Sequence, residues 1–491
     1  MLAAMPPTSP TPVNRDEAPP RAAVRESVRA PLRERGDACP GALRLHTADD
    51  GRLARLRLPA GLLTARQAEA LADAAERLGD GHLDLTSRGN VQLRGLDGSR
   101  GTELAGLLHE AGLLPSETHE RVRNIVASPL AGLDELPSAD VQSWARELDG
   151  LLCASVRAAA LSGRFLFALD DGRGDVAALG ADVTLLAHRD GSVSVRTGAN
   201  RSGPRVAPED APRAALLAAE TFLTLAEASG SGAWRVRELP AEDGRGLDAA
   251  VRAALADAGI ATEYATEAPA RDMNAPARDM EPEPEGEPPT PGSVRSPDGT
   301  VALSVHARLG RLSVARWRLL AAEANGPLRV TPWRGVIVPG VAPAAAGDAL
   351  DRLRTAGLIT DPDSPWYGVG ACTGRPGCAK ALADVRSDAA AAVSHAGSPG
   401  SGGLPVYWSG CARRCGHPQG RWVDVVAKGE GRYDISVQKQ VHVQKQAQVR
   451  GDVPNATTTG PEPEPEPERK PEPAPELADA VAAARTTPLT R

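Results

Sequence analysis

The sequence predicts an α+β protein with internal pseudo-twofold symmetry. Three observations carry this: a duplicated strand–helix–strand unit, a longer α/β segment after each copy, and a four-cysteine pattern confined to the second half. The copies are LLTARQAEALADAAERLGDGHLDLTSRGNVQLRGL (Leu62 to Leu96) and RLSVARWRLLAAEANGPLRVTPWRGVIVPGV (Arg311 to Val341). In each, Thr64 or Ser313 stands where a helix cap is wanted, apolar residues recur at helical spacing, and an alternating apolar run follows. Thr86 pairs with Thr331, Val91 with Val336, Leu93 with Val338 and Gly95 with Gly340. A strand is expected upstream of each copy, at Leu53 to Leu58 and at Val301 to His306. Two related units imply two half-domains sharing one centre.

The rest of the chain divides around these units. Residues 1–36 are rich in Pro, Ala and Arg with no apolar period and read as a disordered arm. The first half-domain is expected over 37–116 and its α/β segment over 117–261. In that segment Asp140 to Ser162 and Ala207 to Ser229 look helical, and Arg164 to Leu169 and Val183 to Arg196 extended. Residues 262–298 contain APARDMNAPARDM and EPEPEGEPPTPG, which read as a disordered linker. The second half-domain follows over 299–365 and a cysteine-bearing segment over 366–438. Residues 439–491, with PEPEPEPERKPEPAPE, read as a low-complexity tail of stiff, charged, solvated chain.

Composition excludes several function classes. The formal net charge of the 491 residues is −7, and no apolar run approaches the roughly 20 residues of a membrane helix. Neither a nucleic-acid footprint nor a membrane span is therefore expected. The acidity comes from the spacers: Glu263 to Asp298 carries −6 and Gly451 to the end −4, which leaves +3 for the remainder. Only five residues are lysine, at positions 380, 428, 439, 445 and 470, so an anion site here would be built from guanidinium forks. Six cysteines are too few for a disulfide scaffold, and the N-terminal stretch lacks the apolar core of a signal peptide. A cytoplasmic location is the expectation.

Four of the cysteines form a pattern. ACTGRPGCAKALADV holds Cys372 and Cys378 with five residues between them; SGCARRCGHP holds Cys411 and Cys415 with three between them, after an interval of 32 residues. Two short thiolate pairs suit an iron–sulfur cube, tetrahedral zinc, or unligated thiols. The cube is favoured because zinc ribbons use two-residue spacings, and because Gly374, Gly377, Gly410 and Gly416 let amide N–H groups approach cluster sulfurs. Cys39 and Cys153 have no partner spacing and read as bystanders.

These motifs, with the duplicated LTSRGNVQLRG/VTPWRGVIVPG unit and RVRNIVASPLAG, resemble the nitrite and sulfite reductase superfamily from roughly Cys39 to Ile435. The resemblance implies two ferredoxin-like half-domains and two cluster/tetrapyrrole-binding α/β domains about a pseudo-twofold axis. It assigns a [4Fe-4S] cluster to Cys372, Cys378, Cys411 and Cys415. By motif position Arg88 and Arg123 match arginines that hold the carboxylates of sirohaem. The Lys-Phe-Lys triplet of the reductases aligns with Arg164, Phe165 and Leu166, so the second cation is lost.

DACPGALR, RFLFALDDG and ACTGRPGCAKALADV are similar to the oxygen-dependent branch that modifies a metal-free tetrapyrrole in aerobic cobalamin biosynthesis. That branch implies hydroxylation of precorrin-3A at C20 with γ-lactone formation, with dioxygen as co-substrate. NADH is the implied electron source, reached through an electron-donor protein because no G-x-G-x-x-G follows a strand. A mononuclear non-haem iron is implied as well, yet no two-His-one-carboxylate set is visible among the scattered histidines. Arg88, Arg123, Arg164 and Arg334 are expected to anchor tetrapyrrole carboxylates, with Asn90, Gln92 and Trp333 along the same cavity. For each, ion-pair, packing or surface duty is the competing reading. No catalytic residue is assigned. A sirohaem-dependent nitrite or sulfite reductase is the alternative, and an iron–sulfur carrier or sensor a third.

Overall fold

The computed structural model describes residues 37, 39–136, 138–262, 286–396, 403–418, 420–438 and 474–486. The first half-domain runs β1 (His46–Ala48), β2 (Gly51–Leu56), β3 (Leu62–Leu63), α1 (Ala65–Leu78), β4 (His82–Leu85), β5 (Val91–Leu96) and α2 (Gly101–Glu110). The first α/β domain follows with β6 (Ile125–Ala127), α3 (Val141–Ala154), β7 (Phe167–Asp170), β8 (Val183–Ala187), β9 (Val193–Thr197), β10 (Arg205–Val206), α4 (Ala211–Ala228) and α5 (Ala241–Asp257). The second half-domain repeats the first: β11 (Gly292–Arg295), β12 (Val301–His306), β13 (Arg311–Ser313), α6 (Val314–Glu323), β14 (Leu328–Val330), β15 (Gly335–Val341) and α7 (Ala346–Thr355). The last domain contains β16 (Val369–Ala371), α8 (Val385–Ala396), β17 (Val406–Ser409), β18 (Trp422–Gly429), β19 (Arg432–Gln438) and α9 (Ala474–Arg485).

The expected caps form. Thr64 Oγ1 accepts from Gln67 N while the Gln67 side chain accepts from Thr64 N, and Ser313 Oγ accepts from Arg316 N. Each satisfies a backbone donor that the first helical turn would leave open.

The half-domains are less separate than the sequence implies, because they exchange a strand. One sheet has the order β1-β2-β5-β4-β13 and the other β11-β12-β15-β14-β3. Leu62 and Leu63 thus pair with Arg329 and Leu328, while Arg311, Leu312 and Ser313 pair with Asp84, Leu83 and His82. Gly61, with φ 68°, sits at the first crossing; a Cβ there would lie 1.9 Å from Val330 O, so only glycine fits. One apolar core spans both halves, and Trp317 of α6 donates Nε1–H to Ala68 O of α1 at 2.8 Å. Leu63 and Leu83 are fully buried in it, each contributing roughly 1.5–3 kcal/mol.

Four strands of the two α/β domains correspond, and the first sheet adds β10 at its edge. In one, β6, β7 and β8 are parallel and β9 antiparallel; in the other, β16, β17 and β18 are parallel and β19 antiparallel. Helices α3 and α4 cover the first sheet, and α8 and α9 the second.

Two expectations need correction. Residues 292–295, assigned to the linker, form edge strand β11 against β12, and a Cβ on Gly286 would meet Asp175 N at 2.4 Å. The flanking Pro and Gly hid a four-residue strand whose side chains are half exposed. Likewise the tail contains α9, whose Leu477, Ala478 and Val481 join the core of the last domain. By position α9 is the counterpart of α4, and the Pro/Glu tract interrupts the domain instead of following it. The arm 1–36, residues 263–285 of the linker and residues 439–473 of the tail lie outside the described residues. Among the described residues no helix is long and apolar enough to cross a membrane.

Candidate active site: cysteine loops and an arginine wall

Parallel pairing brings the cysteine motifs together. Ala371 of β16 is in register with Trp408 of β17, so the segments carrying Cys372 and Cys411 leave adjacent strands at the same edge. Gly410 N donates to Cys372 Sγ at 3.1 Å, and the Gly374 amide also reaches that sulfur. Burial pushes the Cys372 thiol up, with the charges of Cys415 and Cys378 close enough to add to the effect. All four cysteines are free thiols; Cys415 is exposed and the others half-buried.

This arrangement fits a cube better than zinc. Among the described residues no three cysteine sulfurs lie within 4.8 Å of one another. Zinc with bonds of about 2.3 Å would draw sulfurs closer than that. The amides on Cys372 are donors of the kind that tune cluster sulfurs.

The predicted anion-binding residues have separate fates. Arg123 is buried and forms a bidentate pair with Asp149 at 2.6 and 2.7 Å, with a further bond to Leu113 O. Its fork is consumed, so it holds α3 in place and does not anchor a ligand. Asn90 is also spent: Oδ1 accepts from Leu58 N and Nδ2 donates to Asn124 Oδ1. Arg334, at φ 60°, occupies the left-handed turn position that Gly89 fills at φ 64° in the first copy. Its guanidinium donates to Gly416 O and lies 5.3 Å from the Tyr407 ring centroid, while Tyr407 Oη donates to Cys415 O at 2.7 Å. Arg334 therefore supports the second cysteine loop. Gln92 accepts from Arg55, and Trp333 packs with Leu166 in a small apolar cluster.

Arg88 and Arg164 remain. Arg88 donates to Arg164 O at 3.1 Å, and exposed Arg164 stacks over Trp234 at 4.7 Å. Beside them stand two arginines that sequence reasoning missed, Arg55 on β2 and Arg57 just beyond it. Arg55 is close enough to both Cys39 and Cys415 to feel their charge. Arg57 donates to Arg121 O and Gly163 O and leaves Nη1 without a partner. Burial, with Arg55 nearby, brings Arg57 down to about 9; burial and Arg235 bring Arg88 to about 10. Asp182, the carboxylate near Arg88, is paired with Arg235 at 2.5 Å. Among the described residues none of Arg55, Arg57 and Arg88 forms a salt bridge. Arg57 is buried and Arg55 and Arg88 half-buried; cations so placed without counter-ions are costly, and a polyanionic ligand would relieve that cost.

The signal was present in GRLARLRL, where arginines at alternate positions interrupt an otherwise apolar strand. Cys39, read as a bystander, is half-buried beside this wall: a Cβ on Gly163 would lie 3.0 Å from Cys39 Cβ. Asp37 pins the segment by accepting from Gly163 N at 2.7 Å and Ser162 Oγ at 2.9 Å.

One further group of potential ligands exists among the described residues: Asp170, Asp171 and Asp175, all buried. Asp170 already accepts from the amides of Gly172, Gly174, Val176 and Ala177, and Asp171 pairs with Arg173 at 2.7 Å. These engaged carboxylates do not fit the mononuclear iron implied by the resemblance. His417, the histidine nearest the cysteines in sequence, stacks on Trp422.

The model of the nitrite/sulfite reductase ferredoxin-like half domain matches residues 46–111 and again 294–356. A precorrin-3B synthase from Sinorhizobium sp. is 28% identical over 413 residues, covering 81% of this chain and 82% of the relative. A ferredoxin–nitrite reductase from Synechococcus elongatus is also 28% identical, covering 75% of this chain and 74% of its own. The solved NirA protein of Mycobacterium tuberculosis superposes with a TM-score of 0.57 at 18% identity, covering 79% of this chain and 73% of that one, which establishes the common fold. With the half domain matched twice, strands exchanged and an α/β domain after each copy, the chain carries paired nitrite/sulfite reductase ferredoxin-like half domains and shares its fold with the NirA protein.

Proposed function

We propose that the protein is an oxygen-dependent tetrapyrrole monooxygenase that converts precorrin-3A to precorrin-3B. The carrying observation is the wall of Arg55, Arg57 and Arg88, cations without carboxylate partners beside the cysteine loops. Guanidinium forks match the acetate and propionate arms of a tetrapyrrole in pairs. Leu166 supports this over the reductase reading: at the position of the second reductase cation it is buried in a small apolar cluster against which Trp333 packs. Delivering protons and electrons to a small oxyanion needs convergent positive charge, which an apolar wall does not offer.

In this reading Cys372, Cys378, Cys411 and Cys415 would hold a [4Fe-4S] cluster, which would supply electrons singly, as triplet dioxygen requires before it can react with a closed-shell substrate. Two electrons from NADH, passed through a donor protein, balance the reaction. One oxygen atom enters at C20, the other leaves as water, and a ring A acetate closes a γ-lactone on C1. Arg55, Arg57 and Arg88 orient the carboxylates, Arg164 closes the edge of the cavity with Trp234, and Arg334 keeps the cysteine loop in place. The test is turnover of precorrin-3A under labelled dioxygen, with reductant and a donor protein supplied. One labelled oxygen atom in the product is expected. Nitrite or sulfite reduction without label incorporation would establish the reductase reading instead.

A further inference from the structure

Two arginine–aspartate pairs, one wholly from the first half-domain and one joining its Asp84 to Arg386 of the last domain, grip the first cysteine loop at its backbone. Arg94 of β5 is 5% exposed and forms a bidentate pair with Asp50, Nε to Oδ2 at 2.7 Å and Nη2 to Oδ1 at 2.8 Å. The same Nη2 donates to Gly377 O, the residue before Cys378, at 2.8 Å. Arg386 of α8 repeats the design: its Nη2 bonds Asp84 Oδ1 of β4 at 3.1 Å while its Nε donates to Cys372 O at 3.3 Å. Asp49 adds a contact by accepting from Ala379 N. The fit at Gly377 is tight, since a Cβ there would lie 2.6 Å from Asp50 Oδ2 and 2.7 Å from Thr373 Cγ2.

A trans peptide carries its C=O and N–H on opposite sides. Holding Gly377 O on Arg94 therefore turns the Cys378 N–H away from that arginine, and holding Cys372 O on Arg386 does the same for the Thr373 N–H. The two pairs thereby fix the direction of both amides within the loop that carries Cys372 and Cys378. N–H dipoles directed at cluster sulfurs stabilise the reduced state, as does nearby buried positive charge.

We propose that Arg94–Asp50 and Arg386–Asp84 are positioning pairs that raise the reduction potential of the cluster by fixing the Cys378 and Thr373 amides. This rests on the assignment of a cluster to the four cysteines. It makes the first half-domain, which supplies no ligand, a determinant of the redox poise of the last domain.

The experiment measures iron, acid-labile sulfide and midpoint potential, by redox titration followed with electron paramagnetic resonance, for wild-type full-length protein and for Asp50→Asn, Arg94→Gln, Arg94→Lys and Arg386→Gln. Cluster iron should be retained, with the potential lowered in Arg94→Gln and Arg386→Gln, partly restored in Arg94→Lys, and not lowered in Asp50→Asn, which leaves the Arg94 charge uncompensated. Full iron with wild-type potential in all variants overturns the proposal. So does loss of iron in every variant with secondary structure intact, because the pairs would then only hold the loop together. Wild-type protein without a cubane signal would instead overturn the cluster assignment beneath it.

Discussion

The ends of β6 and β7 and the ends of β16 and β17 are the same piece of architecture used in opposite ways. Ser128 follows β6 as Cys372 follows β16, and Asp171 follows β7 as Gly410 follows β17. Even the backbone bond is repeated: Asp171 N donates to Ser128 Oγ at 3.3 Å, and Gly410 N donates to Cys372 Sγ at 3.1 Å. In the first domain the site closes on itself. Asp170 gathers four amides, Asp175 accepts from Ser128 Oγ at 2.6 Å, and Arg173 bridges Asp171 and Asp134. In the last domain the Gly410 and Gly374 amides converge on Cys372 Sγ, and among the described residues no arginine or lysine side chain hydrogen-bonds the thiols of the four cysteines. Duplication thus supplied two strand-end sites, one sealed with carboxylates and the other open to an inorganic group.

The sharpest way to break this comparison is to remove thiols on each side. Cys372→Ser or Cys415→Ser should abolish cluster iron, whereas Cys153→Ser should retain it, because Cys153 lies on α3 in the sealed domain. Equal iron content across the three variants would contradict the assignment.

A smaller effect separates cations that await a ligand from those already paired. Arg55→Gln and Arg88→Gln should each weaken binding of an octacarboxylate porphyrin by about tenfold or more, the loss expected for a hydrogen bond to a charged group. Arg123→Gln should leave that affinity unchanged and lower the melting temperature, since it strands Asp149. Equal affinity losses in all three, read by fluorescence titration, would mean that Arg123 reaches the ligand after all.

How far the site was legible follows the same division. The cysteine motifs and the repeat could be read because their information is local: short spacings, a cap, an alternating run. Arg123 and Asn90 sit at the expected motif positions, yet their partners Asp149 and Asn124 come from packing that no spacing reveals. Arg55 and Arg57 were visible as charges in an apolar strand but are also what an exposed edge looks like. The strand exchange was invisible because Leu62–Leu63 is too short to carry a period. Helix α9 was masked by the acidic tract before it.

The smallest predicted effect concerns the sealed site and depends on pH. Burial and the neighbouring Asp170 charge push the Asp175 carboxyl up to about 7, against 3.8 when unperturbed. The folded protein keeps this proton where the unfolded chain has released it. Stability is thus fully present below pH 3.8 and falls as pH rises towards 7. Asp175→Asn keeps an acceptor for Ser128 and cannot ionise, so its advantage in chemical denaturation should grow from pH 4 to pH 8 to about 1–3 kcal/mol. Parallel stability curves for the two proteins would show that Asp175 ionises freely in the fold.

The most direct test of the central claim is the absorbance and electron paramagnetic resonance spectrum of the protein purified without oxygen. If the four cysteines hold a cluster and the arginines receive a metal-free tetrapyrrole as substrate, the reduced protein shows a cubane signal and no stoichiometric sirohaem band. A stoichiometric sirohaem band would contradict the monooxygenase account in favour of a reductase, and reduced protein without a cubane signal would contradict the cluster itself.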